Sequence, residues 1–358
     1  MVKSMLAHYQ QSVHPMLPIW SHYANENWCM IGYHSVSVIA DAVVKGATDA
    51  DLTEALEACV TTSQIPYFDG LKEYMKLGYV PSDVTSSSVS KTLEFAYDDW
   101  CIAQLAEKAG NKALAAEYNK RAQSYLQVYD EQCGFMRPKD ASGNWCAPFD
   151  PMNTHGQGFI EGNAWTYSLF VPHQVEEMIA LMGGNEAFVA RLDSLFTMTL
   201  SDEHIAQNED ITRDGIIGNY VHGNEPGHHI PYLYNWAGAP HKTQERVRMI
   251  MDTMYGNEIE GLCGNDDAGQ MSAWYIFSAL GFYPVAPGSP MYALGSPKVE
   301  HATVQLPNGK ILEIEAPNQA AEHVYVERVE LNGVVLEDHQ ISHEQLLEGG
   351  ELVFYMTK

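Results

Sequence analysis

Residues 89–110 read VSKTLEFAYDDWCIAQLAEKAG, and this stretch decides the fold class. Val89, Leu93, Ala96, Trp100, Leu105 and Ala109 recur at helical spacing along one apolar face, and Gly110-Asn111 supplies a stop. A second helix is expected over 114–129, and helices joined this closely pack as an antiparallel hairpin. The same texture extends both ways, with helices expected over 36–45, 51–63, 164–182, 186–200, 244–254 and 268–279. No strand pattern alternates with them, which argues against a βαβ barrel or a doubly wound sheet. About ten helical arms without a fixed repeat period read as a helical toroid rather than a regular solenoid.

After Pro287-Gly288-Ser289-Pro290 the texture changes. Alternating runs over 303–306, 311–316, 324–331 and 352–356 predict strands, with hairpin turns at Pro307-Asn308-Gly309 and Asn332-Gly333. The expected division is a mainly α toroid over residues 1–288, followed by a small β module over 289–358.

The chain has 358 residues, of which 46% are hydrophobic and 18% charged, a balance for a packed core rather than a disordered chain. Its net charge of −26 repels phosphate, so neither nucleic acid nor an anionic membrane surface is an expected partner. Residues 1–11 hold no apolar run of signal-peptide length, and no transmembrane helix is expected. Six cysteines without a CxxC read as buried free thiols. Cys133 and Cys146 are the one pair whose spacing invites a bridge in an oxidising compartment.

The connections carry the chemistry. Residues 25–34, 81–88, 133–158, 208–229 and 260–269 form long segments rich in Gly, Asn, Asp, His and aromatic residues, as pocket-building loops are. Three acidic clusters stand out: FIEGNAWTY at 159–167, GNYVHGNEPGHH at 218–229 and GNDDAGQMSAWY at 264–275. Each places carboxylates at or just before an expected helix N-terminus. One such cluster is ordinarily a helix cap; three together, hemmed by glycines and aromatics, point to a site.

Two carboxylates in different environments divide acid and base work. Glu161, beside Phe159 and Trp165, is placed to be kept protonated by partial burial. Asp266 and Asp267 adjoin and need a compensating cation or strong hydrogen bonds. The oxygen-rich clusters suit a hard cation, so calcium is favoured over zinc, with Asn224, Glu225 and Asn265 as ligands on chemical grounds. His34 reads as a hydrogen-bonded core or pocket-wall histidine, and Asp98-Asp99 are expected to face solvent or cap nearby amides.

EGNAW at 161–165, HGNEPGHH at 222–229 and GNDDAGQMSAWY at 264–275 resemble the signatures of glycoside hydrolase family 92. So do PIW at 18–20, NWCMIGYH at 27–34, GYVP at 78–81 and SKTLEFAYDDW at 90–100, and the resemblance runs along essentially the whole chain. It implies a calcium-dependent, inverting exo-α-mannosidase with an N-terminal β-sandwich and an (α/α)6 toroid. It implies Glu161 as general acid and Asp267 as base, assisted by Asp266, with carboxyls about 6.5–9.5 Å apart around a water. His222, Asn163, Trp165 and His228 are the implied substrate-binding residues, and calcium is implied to contact sugar hydroxyls. The implied substrate is an α-mannoside or high-mannose glycan, and relatives are mostly exported.

Family members are about twice this long, a size of more than one domain. The β-sandwich half, its expected partner, has no counterpart here, nor has the Ser-Leu-Trp-Asp-Thr-type segment of the mannose subsite. The toroid is therefore expected to be incomplete at its N-terminal side and the isolated chain weakly active. Linkage preference stays open among α-1,2, α-1,3, α-1,4, α-1,6 and a mannosyl phosphodiester, because Gly223 puts no side chain in the loop around His222. A non-enzymatic carbohydrate-binding or interaction module is the alternative. A polysaccharide lyase or epimerase is disfavoured by the scarcity of Lys and Arg.

Overall fold

The computed structural model describes residues 1–23, 25–154, 156–205 and 212–358. By packing, the chain forms two compact units, Met1–His173 with Pro287–Ser289, and Gln174–Ala286 with Pro290–Lys358. The expected division at 288/289 follows secondary structure, whereas packing divides the chain at 173/174.

In the first unit run α1 (Val2–Gln11), the short pair β1 (Ser21–His22) and β2 (Asn25–Glu26), α2 (Ser35–Val44), α3 (Leu52–Thr62), α4 (Leu71–Leu77), α5 (Ser88–Lys108) and α6 (Lys112–Arg121). Then come β3 (Tyr129–Asp130), β4 (Phe135–Met136) and α7 (Ala164–Tyr167). Helix α5 is the axis of this unit and packs against α2, α3 and α6. Gly110 turns the chain with φ 73° and Asn111 caps α6 by accepting from Leu114 N at 3.2 Å, as the stop signal implies. The second arm is shorter than expected: α6 ends at Arg121, and a 3₁₀ turn over Ser124–Gln127 leads into β3.

Neighbours on several sides bury α5 nearly all round, so its polar face is interior too. Asp98 and Asp99 are both fully buried, which corrects the expectation that they face solvent. Asp98 accepts from Tyr33 N at 2.7 Å and pairs with His34. Asp99 pairs with Arg121 Nε at 2.9 Å and accepts from the Tyr33 and Tyr74 hydroxyls at 2.7 and 2.9 Å. Buried charges persist only when matched in this way. The segment where the sequence texture changes also docks here: Tyr97 donates to Pro287 O at 2.6 Å, and Gly288 N donates to Asp41 at 2.9 Å.

The second unit contains α8 (Val175–Leu181), α9 (Asn185–Thr197), α10 (Asp202–Ile205), the pair β5 (Ile216–Ile217) and β6 (Tyr220–Val221), α11 (Pro240–Thr253) and α12 (Gln270–Leu280). The single helix expected over 164–182 is two, α7 and α8. Pro172 lies in the break, where its missing N–H and fixed φ prevent continuation. Residues 208–211 of the expected loop 208–229 lie outside the described residues.

Next come β7 (Phe282–Tyr283), β8 (Met291–Leu294), β9 (His301–Gln305), β10 (Ile311–Glu315), β11 (Tyr325–Leu331), β12 (Val334–Val335), β13 (Gln340–Ser342), α13 (His343–Glu348) and β14 (Gly350–Thr357). The expected strands form one sheet in the order β12-β11-β14-β10-β9, with β10 and β14 parallel. Both expected hairpins are present, and Asn332 (φ 51°) and Gly333 (φ 77°) take the left-handed values a two-residue turn needs. Leu312, Ile314, Leu331, Leu352 and Phe354 share a core with Phe282, Tyr292, Ile341 and Leu346. Phe282 in that core precedes residue 289, and β7 joins β8 and β13 in a second sheet, so packing and pairing cross that boundary. All six cysteines are free; Cys59 and Cys101 are buried and Cys29 is exposed. No helix among the described residues is long and apolar enough to cross a membrane.

Candidate active site

The segment bearing Glu161 is built on the start of α5. Val89 N and Ser90 N donate to Gly158 O at 2.9 and 3.1 Å, so the loop carbonyl satisfies amides the helix leaves open. Ile160 N donates to Ser90 Oγ at 3.1 Å. Gly158 has φ 88°, and a Cβ there would lie 2.7 Å from Val89 Cγ2, so glycine is required. Glu161 follows, half-buried, with φ 55°. Left-handed backbone is uncommon for a residue with a Cβ and concentrates at functional sites.

Asn163 ends the turn as the cap of α7. Its Oδ1 accepts from Trp165 N at 3.0 Å and Thr166 N at 3.4 Å, Thr166 Oγ1 accepts its N–H, and its Nδ2 donates to Met152 O. The capping role expected of one such cluster is therefore real for Asn163. Trp165 is half-buried, edge-on to Phe135 at 5.1 Å.

Sequence reasoning missed Glu94. Ser90, Glu94 and Asp98 are spaced by four along α5, a stripe that the i,i+4 rule makes visible. Ser90 holds the Glu161 loop, Glu94 accepts from Tyr167 Oη at 3.2 Å, and Glu94 and Asp98 grip the two ring nitrogens of His34 at 2.9 Å each. Burial pulls the His34 pKa down, but the charge and hydrogen bond of Asp98 and those of Glu94 outweigh it, so it stands well above its ordinary value. Glu26, also missed, is buried and accepts backbone N–H groups from Ile19, Trp20, Asn27 and Trp28, tying residues 19–20 to 27–28.

In the second unit, Asp266 and Asp267 precede α12. Asp266 is half-buried and accepts from Ser272 N at 2.9 Å and Ser272 Oγ at 3.1 Å, so it anchors the turn to the helix. Asp267 is exposed with φ 39°, and Ala268 (57°) and Gly269 (97°) continue the left-handed run. Gly215, Gly223 and Gly264 have one cause. A Cβ on Gly215 or Gly223 would lie 2.9 or 2.7 Å from Cys263 O, and one on Gly264 would overlap Gly223. The loop bearing Asn224 and Glu225 thus crosses, backbone on backbone, the loop bearing Asn265. Asn224 is buried, Glu225 half-buried and Asn265 exposed.

Asn224, Glu225 and Asn265 carry side-chain oxygens, the donor type calcium accepts. Among the described residues no three His, Cys, Asp or Glu side chains are grouped to hold a metal. The set therefore fits calcium only when completed by carbonyl, water or substrate oxygens.

His222 and His228 are buried between these loops. His222 Nδ1 meets Tyr220 Oη and Nε2 meets Tyr255 Oη, each at 2.8 Å. His228 Nε2 donates to His222 O at 2.9 Å, and Trp274 Nε1 donates to His228 O at 3.0 Å. Burial pushes both histidines down, His228 to about 4. Of the residues expected at the site, Glu161, Asn163 and Trp165 thus lie in the first unit. Asp266, Asp267, His222, His228, Asn224, Glu225 and Asn265 lie in the second.

The family model for the glycosyl hydrolase family 92 catalytic domain matches residues 1–358. A family GH92 α-mannosidase from Bacteroides thetaiotaomicron, solved also with mannoimidazole, shares 46% identity at a TM-score of 0.94 over 99% of this chain and 47% of its own. A family GH92 inverting mannosidase from the same organism shares 38% at 0.89, over 99% of this chain and 49% of its own. An uncharacterized secreted glycosidase from Arthroderma benhamiae is 28% identical over 91% of this chain and 45% of its own. The chain spans about half the length of these relatives. With a family match over every residue and close backbone likeness to solved members, the chain belongs to glycosyl hydrolase family 92.

Proposed function

We propose that this chain carries the acid and base of an inverting exo-α-mannosidase acting on terminal α-linked mannose, as in mannosides and high-mannose N-glycans. The carrying observation is that Glu161 and Asp267, singled out from sequence, both sit on left-handed backbone beside a helix N-terminus. Likeness to solved α-mannosidases, one of them inverting, supports the reading. Residues 1–288 then belong to an (α/α)6 toroid and 289–358 to its β module, working with a β-sandwich half in an exported protein.

Glu161, protonated, gives its proton to the glycosidic oxygen as the bond to the anomeric carbon breaks. Asp267, ionised, takes a proton from water attacking the opposite face, so configuration inverts. Asp266 steers that turn through its bonds to Ser272. Asn163 and Trp165 shape the surroundings of the acid, and the buried His222 and His228 support those of the base. Asn224, Glu225 and Asn265 would hold calcium, which when bound supplies a positive centre for sugar hydroxyls. The alternative reading is a carbohydrate-binding module without turnover.

Release of mannose from α-mannobiosides with calcium separates the two readings. The enzyme reading expects Glu161→Gln and Asp267→Asn each to lose about 10²–10⁴-fold in kcat with binding kept. An aryl mannoside with an activated leaving group, needing no acid, rescues Glu161→Gln but not Asp267→Asn. Sugar binding without turnover in the unaltered chain sinks the enzyme reading.

A further inference from the structure

An unbroken line of hydrogen bonds runs from the His222 ring through Tyr255 to the base-bearing turn, beside a contact of Gln270 Nε2 with His228 Nδ1 at 3.3 Å. Tyr255 Oη donates its single proton to Met271 O at 3.0 Å. Toward His222 Nε2, 2.8 Å away, it acts as acceptor, so that nitrogen carries the ring's hydrogen. His222 Nδ1 is then left to accept from Tyr220 Oη. The ring is wholly buried, against His228 at 4.8 Å and Trp274 at 4.5 Å, with both nitrogens engaged inside the protein. Its Nε2 reaches the base-bearing turn through Tyr255.

Met271 lies in the first turn of α12. Its own N–H donates to Asp266 O at 3.3 Å, and the preceding Gln270 N donates to Asp267 O at 3.2 Å. The Tyr255 hydroxyl therefore holds the Met271–Ser272 peptide, whose own N–H donates to the Asp266 carboxylate at 2.9 Å. A second tie runs in parallel, from His228 O to Trp274 Nε1, and holds the helix when the first is cut.

We infer that Tyr255 and His222 are positioning residues for the proposed base, their hydrogen-bonded pair fixing the Asp266–Asp267 turn through the carbonyl of Met271. The inference rests on the base role proposed for Asp267. Small displacements of a reacting group cost about 10²-fold, so the loss falls on the chemical step rather than on substrate binding.

Tyr255→Phe keeps the ring stacked on Trp274 and removes only the hydroxyl. With an α-mannobioside, kcat is expected to fall about 10- to 100-fold with KM within about twofold. The same loss is expected with an activated aryl mannoside, because the base is disturbed and the acid is not. His222→Gln, which keeps a donor in place of Nε2, is expected to retain more turnover than His222→Asn. Equal kcat in Tyr255→Phe and the unaltered chain, or a change in KM alone, overturns the inference. Proton–nitrogen NMR at pH 7 supplies a readout that needs no turnover. Tyr255→Phe is expected to shift the His222 imidazole nitrogens and the Ser272 amide that donates to Asp266. Should the unaltered chain release no mannose, the proposed function fails, and unmoved NMR signals in Tyr255→Phe separately overturn the positioning role.

Discussion

Gly223 shows how one atom decides a loop. Its Cβ would sit 2.7 Å from Cys263 O, where the backbone has no room to yield. Gly223→Ala is expected to destabilise the second unit by about 1–3 kcal/mol, read as a lower urea midpoint. An unchanged midpoint contradicts the crossing of these two loops. Asp98 is a second decisive residue, bonded to both His34 and Tyr33 N inside the protein. Asp98→Asn keeps the shape but removes the charge that holds imidazolium, and about 1–3 kcal/mol of stability should go with it. The Asp98-Asp99 pair was expected to face water or cap nearby amides, and Asp98 does accept from Tyr33 N, but neither meets water. Burial of a carboxylate depends on partners such as Arg121 and His34 that are distant in sequence. The strained backbone of Glu161 and Asp267 was equally hidden, since φ is set by the loops' anchors, Ser90 for one and Ser272 for the other.

At the scale of elements, periodicity was a good guide where one element ran long and unbroken. Helix α5 begins and ends within two residues of its expected bounds, because its apolar stripe and the Gly110-Asn111 stop agree. The pattern over 164–182 misled because apolar residues continue past Pro172 without the backbone following. The expected strands are present since their alternation and turn residues are local signals, whereas β13 and α13 are short and supported by packing. The EGNAW and GNDDAGQ segments were legible as helix starts with acidic residues. The helix cap that such a cluster ordinarily forms is present at Asn163, as a full capping box with Thr166. Asn163→Ala is accordingly expected to cost about 0.5–2 kcal/mol by urea unfolding. A stability unaffected by that change contradicts the cap.

Across the whole molecule, histidines pull stability in opposite directions with pH. For His34, burial disfavours the charged form but Asp98 and Glu94 more than restore it. Its contribution is full below about 6.5 and fades as pH rises through the raised folded value. His173 and His228 are pushed down to about 4 by burial, so their contribution is full above about 6.5 and is lost as pH falls toward 4. The urea midpoint is expected to peak near pH 6.5, and His34→Gln to flatten the fall on the alkaline side. A midpoint that keeps rising above pH 7 in the unaltered chain contradicts this.

The central claim is that Glu161 and Asp267 are acid and base for inverting hydrolysis of α-mannosides. Its most direct measurement is the anomeric proton signal of the first mannose released from an α-mannobioside in the presence of calcium. The account predicts β-mannose first, relaxing later to the anomeric mixture, with the signal gone in Asp267→Asn. Release of α-mannose first, or undiminished release by Asp267→Asn, contradicts it.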